Sequence, residues 1–329
     1  MPAKKVNMYA NEQGQYPKEM SRYAVAIDMG GTNTAFALVR DDGVIVARNS
    51  IKTRGKDAEE FFDRLSHEIK ELIQGSELTS GAIRGCGIGA PCADYRTGMI
   101  EASSELPWPS PIPIGHMLRS RLAMPVTVSN DANAAAVGEM LYGVAKGMQD
   151  FILLTLGTGV GSGIVSEGRL LTGHRGFAGE LGHSSVHQGE GRQCRCGRKD
   201  CVQTYCSASG VVTTGRQMLA KHGLPDNEAL TALEVGQAAD RGEAWAVEAM
   251  EHTGEVLGRA CSDFVTFSDP EAIILFGGVA NSFRHIEPAM RRALEENSLS
   301  IYRNRVRILL SGLDAADAAL LGSAALAFA

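Results

Sequence analysis

No apolar run in the 329-residue sequence approaches the roughly 18 residues that span a membrane, so no membrane partner is expected. A basic excess is missing too. Lys and Arg number 32 against 38 Asp and Glu, for a net charge of −6, and no basic stripe stands out. A dedicated nucleic-acid binder would carry one, so no nucleic-acid partner is expected. Met1 to Met20 is polar and lacks the apolar stretch of a signal peptide, which points to a cytoplasmic protein. Aromatics are scarce at 6%, whereas glycine is plentiful at 38, so tight turns and close backbone approaches matter. Seven cysteines without an export signal argue against a disulfide framework. Apolar content of 44% and charged content of 21% fit a folded globular chain, and the length predicts about two domains.

What is present is an α/β pattern that occurs twice. Tyr23–Ile27, Ala35–Val39 and Val44–Ala47 read as an antiparallel meander, joined by turns at Gly30-Gly31-Thr32-Asn33 and Asp41-Asp42-Gly43. Asp57 to Gln74 reads as a helix, with Phe61, Leu65, Ile69 and Leu72 on one stripe, Asp57 as its cap and Gly75 as its stop. Strands follow at Ile83–Ile88 and Val126–Ser129, then a small-residue helix at Ala132–Tyr142. Phe151–Leu156, Gly157-Thr158-Gly159 and Val160–Val165 restart the strand–turn–strand unit, a degenerate duplication at domain scale. The remainder is mostly helical, with strands at Ala272–Phe276 and Val306–Leu310 and a closing helix at Leu313–Phe328. The expected organisation is a leader over 1–22, a small lobe from 23–129 with 312–329, and a large lobe over 130–311.

Both glycine turns lie between strands, which excludes a dinucleotide fingerprint, and no Lys-Ser/Thr follows to make a P-loop. Glycines in a hairpin turn let successive N–H groups face one concavity and hold an anion, and Thr32 and Thr158 add hydroxyl donors. One such turn reads equally as an ordinary hairpin or a phosphate clamp; two copies predict phosphate binding. Asp28 precedes the first and suits a water-mediated magnesium contact, although a turn-capping role also fits. Asn130 and Asp131 stand between a strand and a helix. There Asp131 is either a rigidly held general base or a helix cap. Glu180 and His183, flanked by glycines, offer an acceptor and an imidazole on one short turn. Cys194, Cys196 and Cys201, with His183 upstream, have the donor types and spacing of a closed structural zinc site. His187 competes with His183 for the fourth place, and spacing does not choose. Cys206 reads as a core residue on a helix.

Asp28-Met29-Gly30-Gly31-Thr32, Leu156-Gly157-Thr158-Gly159-Val160-Gly161-Ser162-Gly163 and Ile274-Leu275-Phe276-Gly277-Gly278-Val279 resemble the two phosphate motifs and the adenosine motif of the actin-like ATPase superfamily. Within it the chain resembles the ROK family of sugar kinases and repressors, and most of all its glucokinases. The resemblance implies two actin-like, ribonuclease H-like lobes with the active site in the cleft between them, Mg-ATP and a hexose as substrates, and a homodimer. It implies ATP contacts from Asp28, Gly30, Gly31, Thr32, Asn33, Gly157, Thr158, Gly159, Gly277 and Gly278. It implies Asp131 as the base that activates the glucose 6-hydroxyl, with Asn130, Glu180 and His183 on sugar hydroxyls. It also favours His183 over His187 as the zinc ligand. Three positions depart from the glucokinase pattern: Gln203 stands where Glu is usual, Glu105 where Asn is usual, and Cys92 where Gly or Asn is usual. By analogy all three border the sugar, so mannose, allose or N-acetylmannosamine is the alternative substrate. Phe276 also replaces a common glycine. A repressor would need a helix-turn-helix ahead of the first strand, which 1–22 is too short to supply. An inactive sugar sensor is the remaining alternative.

Overall fold

The computed structural model describes residues 22–76, 78, 80–101, 106–186, 191–314 and 316–329. The expected leader, Glu105 and His187 lie outside the described residues, save Arg22. In chain order the elements are β1 (Tyr23–Met29), β2 (Asn33–Arg40), β3 (Ile45–Lys52), α1 (Ala58–Gly75), β4 (Ile83–Gly89), α2 (Ile114–Leu122), β5 (Val126–Ser129) and α3 (Asp131–Tyr142). They continue as β6 (Phe151–Leu156), β7 (Val160–Ser166), β8 (Arg169–Leu170), the single turn α4 (Gln203–Cys206), α5 (Ala208–Lys221), α6 (Ala232–Asp240), α7 (Ala244–Ser268), β9 (Ala272–Phe276), α8 (Phe283–Asn297), β10 (Arg307–Leu310) and α9 (Ala318–Phe328). The chain divides into two compact units, one reaching Ala134 and resuming at Ala316, the other Ala135–Ala315.

The duplication read in the sequence is present in the sheets. The first has the order β3-β2-β1-β4-β5 and the second β10-β9-β6-β7-β8. Counted from its own first strand, each runs 3-2-1-4-5. In both, the first three strands are antiparallel neighbours and the last two run parallel to the first. Parallel strands need crossovers, and α1 and α2 supply them in the first unit. In that unit α1 begins where Asp57 accepts the Glu60 N–H at 2.9 Å, and it buries Phe61, Phe62, Leu65 and Ile69 against Ile27, Phe36 and Ile88. Ser76, not Gly75, caps its end. In the second unit α7 carries the longest buried stripe, and Phe264, Leu257 and Met250 join Ile273 and Leu275 in the core.

Helix α9 starts at Ala318, five positions later than its apolar pattern suggests, because Gly312 and Leu313 are used in a turn in which Leu313 N–H reaches Ser311 Oγ at 3.2 Å. It packs on β1 and β4, where Ser323 Oγ accepts the Gly89 N–H at 3.1 Å. The two-residue β8 was too short to leave a sequence signal.

Candidate active site

Parallel strands present their carboxyl ends at one edge of a sheet, where α/β proteins place their ligands. In the first unit Asp28 of β1 pairs in register with Gly89 of β4, and Gly89 with Ser129 of β5. Asp28 and the Asn130-Asp131 pair therefore meet at that edge. The helix that follows needs a cap, and Asn130 provides it by accepting the Asn133 N–H on Oδ1 at 2.7 Å. The capping role left open for Asp131 thus belongs to its neighbour. Asp131 is exposed, on the first residue of α3, with one oxygen accepting the Ala132 N–H at 2.8 Å. Its second oxygen is available to a proton donor.

Asp28 is held between water and core. Burial, followed by the negative charge of Asp131, raises its pKa from 3.8 to about 6. Its protonated form is thus favoured on folding, and the cost of the buried charge appears as pH climbs from about 4 through 6. We expect Asp28→Asn to raise the melting temperature above pH 6, through at most about 3 kcal/mol, and to leave it unchanged below pH 4. Thermal melts of both proteins across pH 3.5–8 check this; equal shifts at both ends would contradict it.

The first glycine turn closes tightly. Gly30 N–H donates to Asn33 O at 3.0 Å, and Thr53 anchors it from outside through its hydroxyl on Gly30 O at 2.7 Å. Thr32 and Asn33 are left exposed at the tip. The second turn matches it: Gly157 N–H donates to Gly159 O at 3.0 Å, with Thr158 exposed. Gly277 runs beside this turn. Its φ of +101° suits glycine, and a Cβ there would stand 2.7 Å from Leu156 O. Gly277 and the Gly157–Gly159 turn are thereby adjacent within the second unit.

Strand β7 also holds the Glu180–His183 turn. Ser162 Oγ donates to Gly179 O and accepts the Leu181 N–H at 3.1 Å. Gly182 sits so close to Val160 that any side chain would run into its carbonyl oxygen. Glu180 is exposed and His183 half-buried. Sequence reading missed Ser162 as a clamp, because its position inside the glycine motif gave it no separate signal.

One donor atom each from His183, Cys194, Cys196 and Cys201 gather within 4.8 Å of one another. His183 Nδ1 lies 3.8 Å from Cys194 Sγ, and Cys196 Sγ lies 3.7 Å from Cys201 Sγ. Bonds of about 2.3 Å at tetrahedral angles put ligand atoms about 3.8 Å apart, so these separations fit one four-coordinate ion. Burial pushes the Cys194 thiol up, but the Cys196 N–H, the Gln203 amide and the neighbouring thiols outweigh it and bring it down to about 6. Burial, together with the Cys196 and Cys194 thiols beside it, pushes Cys201 up to about 12. Arg192 braces the cluster loop: its guanidinium stacks 4.2 Å from the Tyr205 ring, and Tyr205 donates to Asp200 Oδ1 at 2.6 Å. Gln203 reaches back to Cys194, its amide nitrogen 3.0 Å from Sγ. Cys86, Cys206 and Cys261 are core residues whose thiol pKa values burial raises. Cys92 is exposed at a φ of +54°.

The family description "ROK family" matches residues 24–329. A glucokinase of Halalkalibacterium halodurans is 33% identical over 270 residues, covering 79% of this chain and 82% of the relative. An N-acetylmannosamine kinase of Citrobacter koseri is 31% identical over 314 residues, covering 92% and 98%. Among solved structures, a ROK family glucokinase from Streptomyces griseus in complex with glucose and AMPPNP aligns with a TM-score of 0.72 at 28% identity, covering 92% of this chain and 98% of that one. The paired 3-2-1-4-5 sheets are those of the actin-like ATPase fold. With the match running from β1 through α9, the chain belongs to the ROK family.

Proposed function

We propose that this protein is an ATP-dependent hexose kinase that transfers the γ-phosphoryl group to the 6-hydroxyl of glucose. The observation that carries the reading is the division of labour at the head of α3. Asn130 takes the cap, which leaves Asp131 exposed and rigidly placed to accept a proton. Phosphoryl transfer needs positioning, charge neutralisation and a base for the attacking hydroxyl, and little covalent chemistry. Asp131 withdraws the hydroxyl proton as the oxygen attacks phosphorus. The sugar contacts are assigned to Asn130 in the first unit and to Glu180 and His183 in the second. The N–H groups and threonine hydroxyls of Gly30–Thr32 and Gly157–Gly159, with Asn33, are assigned to the phosphates. Gly277 and Gly278 are assigned to the adenosine, where the missing Cβ atoms permit close approach. Asp28 is assigned the water-mediated contact to magnesium, and the ion would neutralise phosphate charge.

The four-ligand cluster is assigned to zinc, whose preference for thiolate and imidazole in a closed tetrahedron matches the donor set. Zinc would hold the imidazole of His183 through Nδ1 and leave Nε2 for the substrate side. The reading carries with it a cytoplasmic location, supported by the demand for ATP, and a homodimer.

A second reading changes the sugar. The kinase relative of 31% identity acts, by its name, on N-acetylmannosamine, and Gln203, Glu105 and Cys92 depart from the glucokinase pattern. A coupled ADP-release assay over glucose, mannose, allose, N-acetylglucosamine and N-acetylmannosamine decides. We expect the highest kcat/KM with glucose. A preference of tenfold or more for another sugar replaces glucose in the proposal, and no ADP release with any of them leaves a sugar-binding protein without kinase activity.

A further inference from the structure

Gln203 is the first residue of α4, two positions after Cys201. Its side chain has two neighbours of different kinds. The amide nitrogen donates to Cys194 Sγ at 3.0 Å, and the amide oxygen is the nearest heavy atom to where a Cβ on Gly159 would stand, at 3.2 Å. Cys194 is 3% exposed, so water does not compete well for that sulfur. A single planar group therefore spans from a metal-ligating sulfur to the turn assigned to phosphate.

We propose that Gln203 is a positioning residue that stabilises the metal-bound Cys194 thiolate through its N–H and transmits the state of the metal cluster to the Gly157–Gly159 turn. The proposal rests on the zinc assignment above. Its chemistry is a charge count. Three thiolates and a neutral imidazole on a divalent cation leave one net negative charge, and a donor aimed at sulfur disperses it. An amide supplies that donor and also an acceptor. A carboxylate in the same place supplies no donor and adds a second negative charge beside the first. The glutamine thus gives Cys194 a donor that a glutamate in this place would not supply.

Two isosteric substitutions separate charge from shape. Gln203→Glu adds the charge and Gln203→Met removes the donor while keeping the length. The zinc content of the purified wild-type protein is measured first, and each protein is then titrated with a chromophoric chelator. Zinc affinity is expected to fall by about 10–100-fold in Gln203→Glu, and by less in Gln203→Met. Cobalt-substituted protein gives a second readout: loss of the N–H···S bond in Gln203→Met should move the thiolate charge-transfer band to longer wavelength. Transmission is read from the Kd of a fluorescent ATP analogue, which metal removal should weaken several-fold in the wild type and barely change in Gln203→Met. Circular dichroism verifies that both variants remain folded.

Equal zinc affinity and an unmoved cobalt band in both variants would overturn the role at Cys194. An equal response of nucleotide Kd to metal removal in wild type and Gln203→Met would overturn the transmission. A wild-type protein that binds no zinc would overturn the zinc assignment itself and the inference with it.

Discussion

Replacing Asp131 with Asn is expected to lower kcat by about 10²–10⁴-fold, the range a positioned general base contributes. The substitution keeps the volume of the side chain and an oxygen to accept the Ala132 N–H, so α3 should start as before. What it removes is the ability to take a proton. Sugar binding, measured by intrinsic fluorescence or calorimetry, should stay within a few-fold of wild type, because hydroxyl contacts do not need the negative charge. The control is Asn130→Ala, which removes the cap at 2.7 Å and should cost on the order of 1 kcal/mol of stability. The two variants separate the two roles: loss of kcat at Asp131, and loss of stability together with a raised sugar KM at Asn130. Near wild-type kcat in Asp131→Asn would remove the base from the mechanism.

The second large effect is expected at Cys201. This residue is fully buried, and its backbone bridges to Ser185 while Val202 N–H returns to Ser184 O at 2.9 Å. The loop it closes carries Arg192, Arg195, Arg198 and Lys199 and has little apolar surface of its own to bury. Its described part is held by backbone bonds such as Asp200 N–H to Arg192 O at 2.9 Å and Cys194 N–H to Arg198 O at 2.8 Å, by the four-ligand site and by the Arg192–Tyr205 stack. Closed thiolate sites supply folding energy directly, because the unfolded chain has no preformed site. Cys201→Ala is expected to abolish stoichiometric zinc and to lower the melting temperature by about 10 °C, equivalent to several kcal/mol for a unit of this size. Sugar KM should rise as well, since His183 belongs to both the cluster and the Glu180 turn. Cys261→Ala, equally buried but outside the cluster, should keep the metal. Metal-free Cys201→Ala with unchanged stability and KM would show the cluster to be dispensable.

Much of this was legible in sequence, for identifiable reasons. The strands at Tyr23, Phe151 and Ala272 are continuous apolar runs, as expected for strands covered on both faces, and their boundaries fell within a few residues. The cap at Asp57 was legible because the Asp side chain satisfies a donor three positions on. The cysteine spacing was legible because ligand chemistry restricts it. The start of α9 was not, because Leu313 continues the apolar pattern although its N–H is taken up by Ser311 Oγ ahead of the helix. Nor could sequence tell which of Asn130 and Asp131 caps α3, since both residue types do so equally well. The clamp at Ser162 and the contact from Gln203 to Cys194 depend on how loops return to a strand, which no local pattern records.

The packing of α9 on β1 and β4 has a consequence for how this chain comes into being. Residues 318–328 leave the ribosome only after all of β6–β10 has been made. The first unit is therefore begun first and completed second, while the second unit already has every strand of its sheet. Until α9 arrives, Gly87 and Gly89 lack the helix that covers them. A nascent chain of this protein must keep its earliest sheet waiting, so the order of synthesis and the order of maturation are reversed.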